Sequence, residues 1–427
     1  MKLLVILAIL GLSQAFDENV ISSKSSGKHW ALLIAGSNSY FNYRHQADVC
    51  HAYHILSGHG IPDERIVVMM YDDIAYSEEN PTPGIIINHP NGSDVYGGVP
   101  KDYTGDDVTP KNFLNILTGN KEAMQGIGSG KVIESGPDDF VFVNFADHGA
   151  PGLVAFPNDV LNAPDLMNAI MDMYNQKKYD QLVLYIEACE SGSMFDGLLP
   201  QNISVFATTA ANPRESSYAC YYDNKRNTYL GDLYSVNWME DSDKEDLSSE
   251  TLQDQFKIVK SETNESHVME YGDLSIGQET VAIFQGNKQG PKKKPLPKAR
   301  RDAVKSEEVP LAILYHRLQD AKTERETQNI LNQIYALKAE NKKIVDSFRS
   351  IAQFSSFRND ASNYFLNVRN PLKNFDCYLS VAQHYDKKCF RLPKYDYALR
   401  HLYVLVNLCE EGVMREDIIN AIDKTCQ

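Results

Sequence analysis

Runs 29–36, 66–71, 140–146, 182–186 and 203–208 are short, apolar and strand-like, and stretches such as 47–56 and 163–174 between them have helical spacing. Strands that alternate with helices in this way build an α/β fold with a mainly parallel sheet. In such sheets functional groups gather outside the carboxyl ends of the strands. The first, third and fourth ends read GSNSYFNYRHQ, DHGAPG and EACESG, so Asn42, His148 and Cys189 converge from three strand ends.

The chain of 427 residues has room for two or three domains and is globular in composition, 43% hydrophobic and 23% charged. It opens with Lys2, an apolar run over 3–12 and Ser13-Gln14-Ala15, the pattern of a secretory signal peptide over 1–15. No later run reaches the roughly 18 apolar residues that a spanning helix needs. The expected location is the secretory pathway or an organelle it feeds, and the family resemblance given below narrows this to the lysosome, endosome or extracellular space. Sequons at Asn91, Asn202 and Asn264 suit that route as glycosylation sites.

Seven cysteines fall as Cys50, Cys189 and Cys220 early and Cys377, Cys389, Cys409 and Cys426 late. The late four can form two bridges, which leaves at least one early thiol free. Cys50 and Cys220 read as buried and inert. Cys189 differs, because it ends a strand between carboxylates and a glycine turn.

Composition changes after residue 286. The segment NKQGPKKKPLPKARRDAVKSEEVP is rich in lysine, arginine and proline and reads as a mobile linker, and helix-like sequence follows, with Ile330, Leu331, Ile334 and Leu337 on one face. The expected divisions are a short segment over 16–27, an α/β domain over 28–286, a linker over 287–329 and a smaller all-α unit over 330–427; the family resemblance given below makes the first a propeptide and the second the catalytic domain. The 17 basic and 40 acidic groups of 1–286 leave −23, and the 25 basic and 17 acidic groups of 287–427 leave +8, so the two parts attract.

A thiolate is a strong nucleophile, and a histidine within reach activates it and later protonates the leaving amine. Backbone N–H groups at a glycine turn stabilise an oxyanion. Cys189, His148 and Gly149 supply these parts, against the plainer reading of a buried strand-end cysteine and a turn histidine. His45, His51, His54 and His59 with Cys50 match no standard zinc spacing, and Asp106 and Asp107 read as solvated acids, so no metal or cofactor is expected.

FADHGAPG followed by EACESGSM, with AGSNSYFNYRHQADVCHAYHIL before and TTAANPRESSYACYYD after, resembles the legumain, or asparaginyl endopeptidase, family. The resemblance runs nearly the whole chain, through MMYDDIAYSEENPTPG, YLGDLYSVNWMEDSD and YDYALRHLYVLVNLCE. It implies a caspase-like fold and a cysteine peptidase made as an inactive precursor, with the helical unit as prodomain. Carried over by motif, Cys189 is the nucleophile, His148 the general base and acid, Asn42 the group that orients the imidazole, and Gly149 and Cys189 the oxyanion donors.

An asparagine side chain offers one acceptor and two donors. The resemblance places Arg44 and His45 against its oxygen and Glu187 and Asp232 against its nitrogen, with Ser217 and Tyr218 walling neighbouring subsites. It also pairs Cys377 with Cys409 and Cys389 with Cys426, and makes Arg400 a candidate to reach the pocket acids from the prodomain. Partners so implied are proteins and peptides with accessible asparagine, the chain's own prodomain and cystatin-type inhibitors; no nucleic acid and no membrane span are expected. Asp147 matches a family position implicated in ligation, so transpeptidation at asparagine is the alternative activity, and a non-catalytic binding protein on the same fold is another reading. No asparagine stands near Lys322, where a familiar activation cut would align, leaving Asp320, Asn329 or Asn332.

Overall fold

The structure is a computed structural model that describes residues 27–288 and 302–426. The signal peptide, residues 16–26 of the amino-terminal propeptide and the basic, proline-rich part of the linker lie outside the described residues.

Strands β1 (His29–Ala35), β2 (Ile66–Met69), β3 (Phe140–Ala146), β7 (Gln181–Glu187) and β8 (Val205–Thr209) pair in parallel, and β11 (Met269–Gly272) closes one edge antiparallel to β8. The order is β11-β8-β7-β3-β1-β2. Both faces are covered, which is why these strands read as continuous apolar runs. Leu32, Ile34, Val141, Val143, Leu182 and Leu184 pack into one core, and Leu33, Phe142, Val183 and Phe206 into the other. Helices α1 (Tyr43–Gly58), α4 (Leu233–Lys244) and α5 (Leu252–Glu262) contribute to the second core, whereas α2 (Pro110–Leu117) and α3 (Ala163–Asn175) contribute to the first.

From β1 the chain first moves outward to β2 and then returns to the other side of β1 at β3. The connections therefore diverge between β1 and β3, where a crevice opens at the carboxyl ends. A hairpin sheet of β4 (Gly149–Ala150), β5 (Leu153–Ala155) and β6 (Val160–Asn162) lies beyond β3. A third sheet joins β9 (Tyr218–Asp223) to β10 (Thr228–Asp232) and to β12 (Val304–Lys305).

The remainder is helical: α7 (Val309–Asp320), the long α8 (Glu324–Ser355), α9 (Ala361–Asn367), α10 (Phe375–Lys388), α11 (Asp396–Leu399), α12 (Tyr403–Glu410) and α13 (Arg415–Thr425), after the short α6 (Ala282–Gln285) that ends the catalytic part. Bridges Cys377–Cys409 and Cys389–Cys426 cross-link α10 to α12 and α13. Cys50, Cys189 and Cys220 form no disulfide and are buried. Ala150, Leu153 and Ala155 of the hairpin share an apolar cluster with Phe348, Tyr378 and Leu405, so the helical unit docks beside the crevice.

One expectation needs correction. From Asp302 onward the supposed linker is ordered: β12 pairs with β9, a turn spans Ser306–Glu308, and α7 and the first turn of α8 lie within 287–329. Reading the lysine- and proline-rich stretch as one unit hid the run VPLAIL, in which Pro310 starts a helix and Val309 and Ile313 bury against Ala219 and Tyr229.

Candidate active site

The parallel register sets Ala35 beside Ala146 and Ala146 beside Glu187, so three strand ends stand level. Asn42, His148 and Cys189 follow from them. The Asn42 amide donates to the Asn38 carbonyl at 3.1 Å, which turns its oxygen to Nε2 of His148 at 2.9 Å. That oxygen can only accept, so Nε2 carries the proton and Nδ1 is left as the basic nitrogen. Gly149 sits against the cysteine turn; a Cβ there would stand 2.3 Å from the Cys189 carbonyl oxygen, so only glycine admits this approach.

The Cys189 sulfur accepts from the Ser217 N–H at 3.4 Å and lies 3.8 Å from the Ser217 hydroxyl. Its thiol also faces Glu307, 3.9 Å away. Burial, then the Glu307 and Glu190 carboxylates, push the thiol well above its usual range. Covered in this way, the cysteine is held as an unreactive thiol.

Beside it Arg44 Nε donates to Asp232 at 2.8 Å and Nη2 to the Ser306 hydroxyl at 2.7 Å. His45 Nδ1 meets the Ser37 hydroxyl at 2.6 Å, and its Nε2 lies 3.5 Å from the other Asp232 oxygen. Burial, Arg44 and His148 lower His45 well below the usual histidine value, so it is neutral. One Glu187 oxygen takes the backbone N–H and hydroxyl of Ser235 at 3.0 and 3.1 Å. Glu187 Oε1, Asp232 Oδ2 and His45 Nε2 are buried without a hydrogen-bond partner. Tyr218 lies half-buried, and its backbone pairs with Lys305. His45, Asp147 and His148 also bring three potential metal-ligand atoms within 4.8 Å of one another, but Ser37 and Asn42 already engage the two imidazoles.

The resemblance implies that the helical segment covers this site, but the sequence did not single out the strand before it. Val304 and Lys305 pair with Ala219 and Tyr218, and the Ser306 N–H donates to the Ser217 carbonyl at 3.0 Å. The chain thus enters as an added strand, placing Ser306 on Arg44 and Glu307 at the sulfur. Arg400 is corrected here: it reaches neither Glu187 nor Asp232 but lies 3.1 Å from Glu190 and 2.8 Å from Glu307. Arg44 and Ser235 each hold one oxygen of the deeper acids, and Glu190, in the turn beyond the sulfur, is the acid that faces the prodomain. From the next turn back, Asp396 places a carboxylate 3.2 Å from Nε2 of His148. The aligned ALRHLY motif drew attention to Arg400; the acid four residues earlier offered no separate signal.

An orienting amide, an imidazole and a buried strand-end thiol on an α/β sheet, plugged by the chain's own later segment, define a cysteine peptidase in precursor form. The Peptidase C13 family matches residues 29–287 and the legumain prodomain family residues 332–426. The chain is 54% identical to legumain of Homo sapiens over 94% of both proteins, 42% identical to hemoglobinase of Schistosoma japonicum over 93% and 92%, and 39% identical to the vacuolar-processing enzyme delta-isozyme of Arabidopsis thaliana over 96% and 93%. It belongs to the Peptidase C13 family and is an asparaginyl cysteine endopeptidase made as a zymogen.

Proposed function

We propose that the enzyme cleaves after asparagine with Cys189 as nucleophile and His148 as proton carrier. Sγ attacks the carbonyl carbon while its proton passes to His148 Nδ1. The carbonyl oxygen, gaining the electron pair, meets the N–H groups of Gly149 and Cys189. His148 returns the proton to the departing amine, leaving a thioester. Water then attacks the same carbon, gives its proton to His148, and releases the acid as the sulfur regains a proton.

The observation that carries the specificity is the set of partnerless buried atoms around Arg44. Glu187 Oε1 and Asp232 Oδ2 can each accept one N–H of an asparagine amide, and Arg44 with His45 Nε2–H can donate to its oxygen. Glutamine or leucine would leave some of these atoms unsatisfied. Ser217 positions the sulfur, and Tyr218 lends the edge on which the residues before asparagine pair. An amine in place of water would give transpeptidation from the same thioester; Asp147, raised to about 7 by burial, stands beside His148 for that alternative.

On this reading 1–15 is a signal peptide, 16–27 a short propeptide, 28–286 the catalytic domain, 287–329 an activation segment and 330–427 the prodomain. The vacuolar and lysosomal setting of such enzymes, glycans on the exposed Asn91, Asn202 and Asn264, and inhibition by cystatin-type proteins follow from the same reading. Among the candidate cuts, Asp320 closes α7 before the break to α8, whereas Asn329 and Asn332 lie within α8 and would require unwinding. Acid incubation of the precursor, with mass spectrometry of the products, tests the assignment. Parent protein should yield products ending in asparagine or aspartate, whereas Cys189→Ala should remain folded and lose at least about 10⁴-fold in turnover; retained turnover overturns it.

A further inference from the structure

Beneath the pocket lies a third carboxyl that the reaction does not use. Asp48 stands one turn after Arg44 on α1 and is fully buried. Its Oδ1 accepts from Asn88 Nδ2 at 2.7 Å and its Oδ2 from the Asp232 backbone N–H at 3.2 Å, and the carboxyls of residues 48 and 232 lie within hydrogen-bonding reach. Gly231 allows this approach: a Cβ there would stand 3.1 Å from Asp48 Oδ1 and 2.5 Å from Val236. The groups facing Asp48 are Asp232 from β10, Glu187 from β7 and Asn88 from the loop after β2; on its own helix His51 stands behind Asn88, and Arg44 binds Asp232.

Three buried carboxyls here share one permanent cation, Arg44. They cannot all stay ionised, so at least one retains a proton. Asp232 holds the guanidinium, and Glu187 takes two donors from Ser235. Asp48, like Glu187, has only two neutral donors, but it also has the Asp232 carboxyl within hydrogen-bonding reach. Both Asn88 N–H groups are committed, to Asp48 and to the Leu230 carbonyl at 2.9 Å, so its oxygen accepts from His51 Nδ1 at 2.8 Å; His51 Nε2 in turn meets Asp243 at 3.0 Å nearer the surface. This line fixes Asp48 Oδ1 as the acceptor and leaves Oδ2 to carry the proton toward residue 232.

We propose that Asp48 is a positioning residue of the specificity pocket: protonated, it donates a hydrogen bond to the Asp232 carboxylate and so keeps Asp232 an ionised acceptor aimed at the substrate amide. The inference rests on the pocket reading above. Burial and the Asp232 charge raise Asp48 well above the usual carboxylate range, in the same direction.

The test uses acid-activated full-length enzyme and two peptides that differ only in asparagine or aspartate at the cleaved position, assayed from about pH 4 to pH 7. Asp48→Ala removes the donor and should raise KM for the asparagine peptide about tenfold at unchanged kcat, while lowering the preference for asparagine over aspartate. Asp48→Asn keeps a donor toward the Asp232 carboxylate and an acceptor toward Asn88 but sets its NH2 against the Asp232 backbone N–H, so it should recover both values in part, to nearer the parent than Asp48→Ala, and leave the pH profile of the preference unshifted. If Asp48→Ala does not fold, Asp48→Asn decides alone: a shifted profile or lost preference refutes the proton-donor role. A selective parent whose Asp48→Ala variant is equally selective, altered only in melting temperature, overturns this inference alone. A parent indifferent to asparagine overturns the pocket reading and this inference with it.

Discussion

The carboxylate of Asp396 lies 3.2 Å from Nε2 of His148, so the prodomain touches the imidazole proposed above as the base. Burial disfavours the imidazolium, but the Asp396 charge and hydrogen bond outweigh it and raise His148 above 6.5; burial likewise opposes ionised Asp396, but His148 holds it below 3.8. A raised histidine stabilises the docked state below about 6.5 and loses that contribution as pH rises through its raised value. A lowered aspartate stabilises it above about 3.8 and loses that as pH falls through its lowered value. The pair therefore holds the prodomain most firmly in mild acid, weakening at higher pH as His148 loses its proton and in stronger acid as Asp396 is protonated. Asp396→Asn in linker-cleaved Cys189→Ala protein should dissociate at a higher pH on gel filtration; an unchanged midpoint would show that the contact does not restrain release.

Arg400 links the two halves differently, between the buried Glu190 and Glu307. Burial raises Glu190 to about 8 even beside Arg400, so removing the cation leaves Glu307 and a largely neutral Glu190 without their partner and should weaken docking roughly tenfold or more. The Arg400→Ala prodomain should separate from the linker-cleaved enzyme at neutral pH, where the parent complex co-elutes. The charge division of −23 and +8 adds a longer-range attraction that salt should weaken. Parent complex that co-elutes at pH 4 in high salt would contradict an electrostatic hold.

The sheet and the meeting of Asn42, His148 and Cys189 were legible because each depends on local pattern: apolar runs of strand length, then a polar group just past the strand end. The Arg44, His45, Glu187 and Asp232 pocket came from resemblance, since no spacing rule brings α1, β7 and β10 together. Val304 to Glu307 were illegible for a physical reason: their order comes from pairing with β9, and a solvated stretch of the same composition would read identically. Asp396 was hidden similarly, because its partner His148 lies 248 positions away in the chain, a contact that only the docked fold creates.

The Ser306 hydroxyl accepts from Arg44, and Glu307 follows at the Cys189 sulfur, so on the proposed reading Ser306 stands where the residue to be cleaved would. Serine is too short to reach Glu187 and Asp232 as an amide would, so it plugs the pocket without filling it. Ser306→Asn should turn plug into substrate: mass spectrometry of acid-treated precursor should show a cut between residues 306 and 307, absent from the Cys189→Ala double variant. A plug that stays uncut would mean that this strand does not occupy the substrate path.

Asparagine and aspartate fill the same volume but present different atoms to Glu187 Oε1 and Asp232 Oδ2, both partnerless here. The amide gives each acceptor an N–H at any pH. Ionised aspartate gives them like charge instead, and its protonated form regains one donor. Burial and Asp232 raise Glu187 well above the usual range, so the needed proton can sit on either partner. Both routes take up that proton as pH falls, and a free aspartate does so near 4. The kcat/KM for aspartate peptides should therefore climb steeply from neutral pH toward pH 4, while the ratio of asparagine to aspartate cleavage falls. Paired fluorogenic peptides assayed over that range give the ratio directly, and equal rates at neutral pH would show that these two acids do not line the pocket.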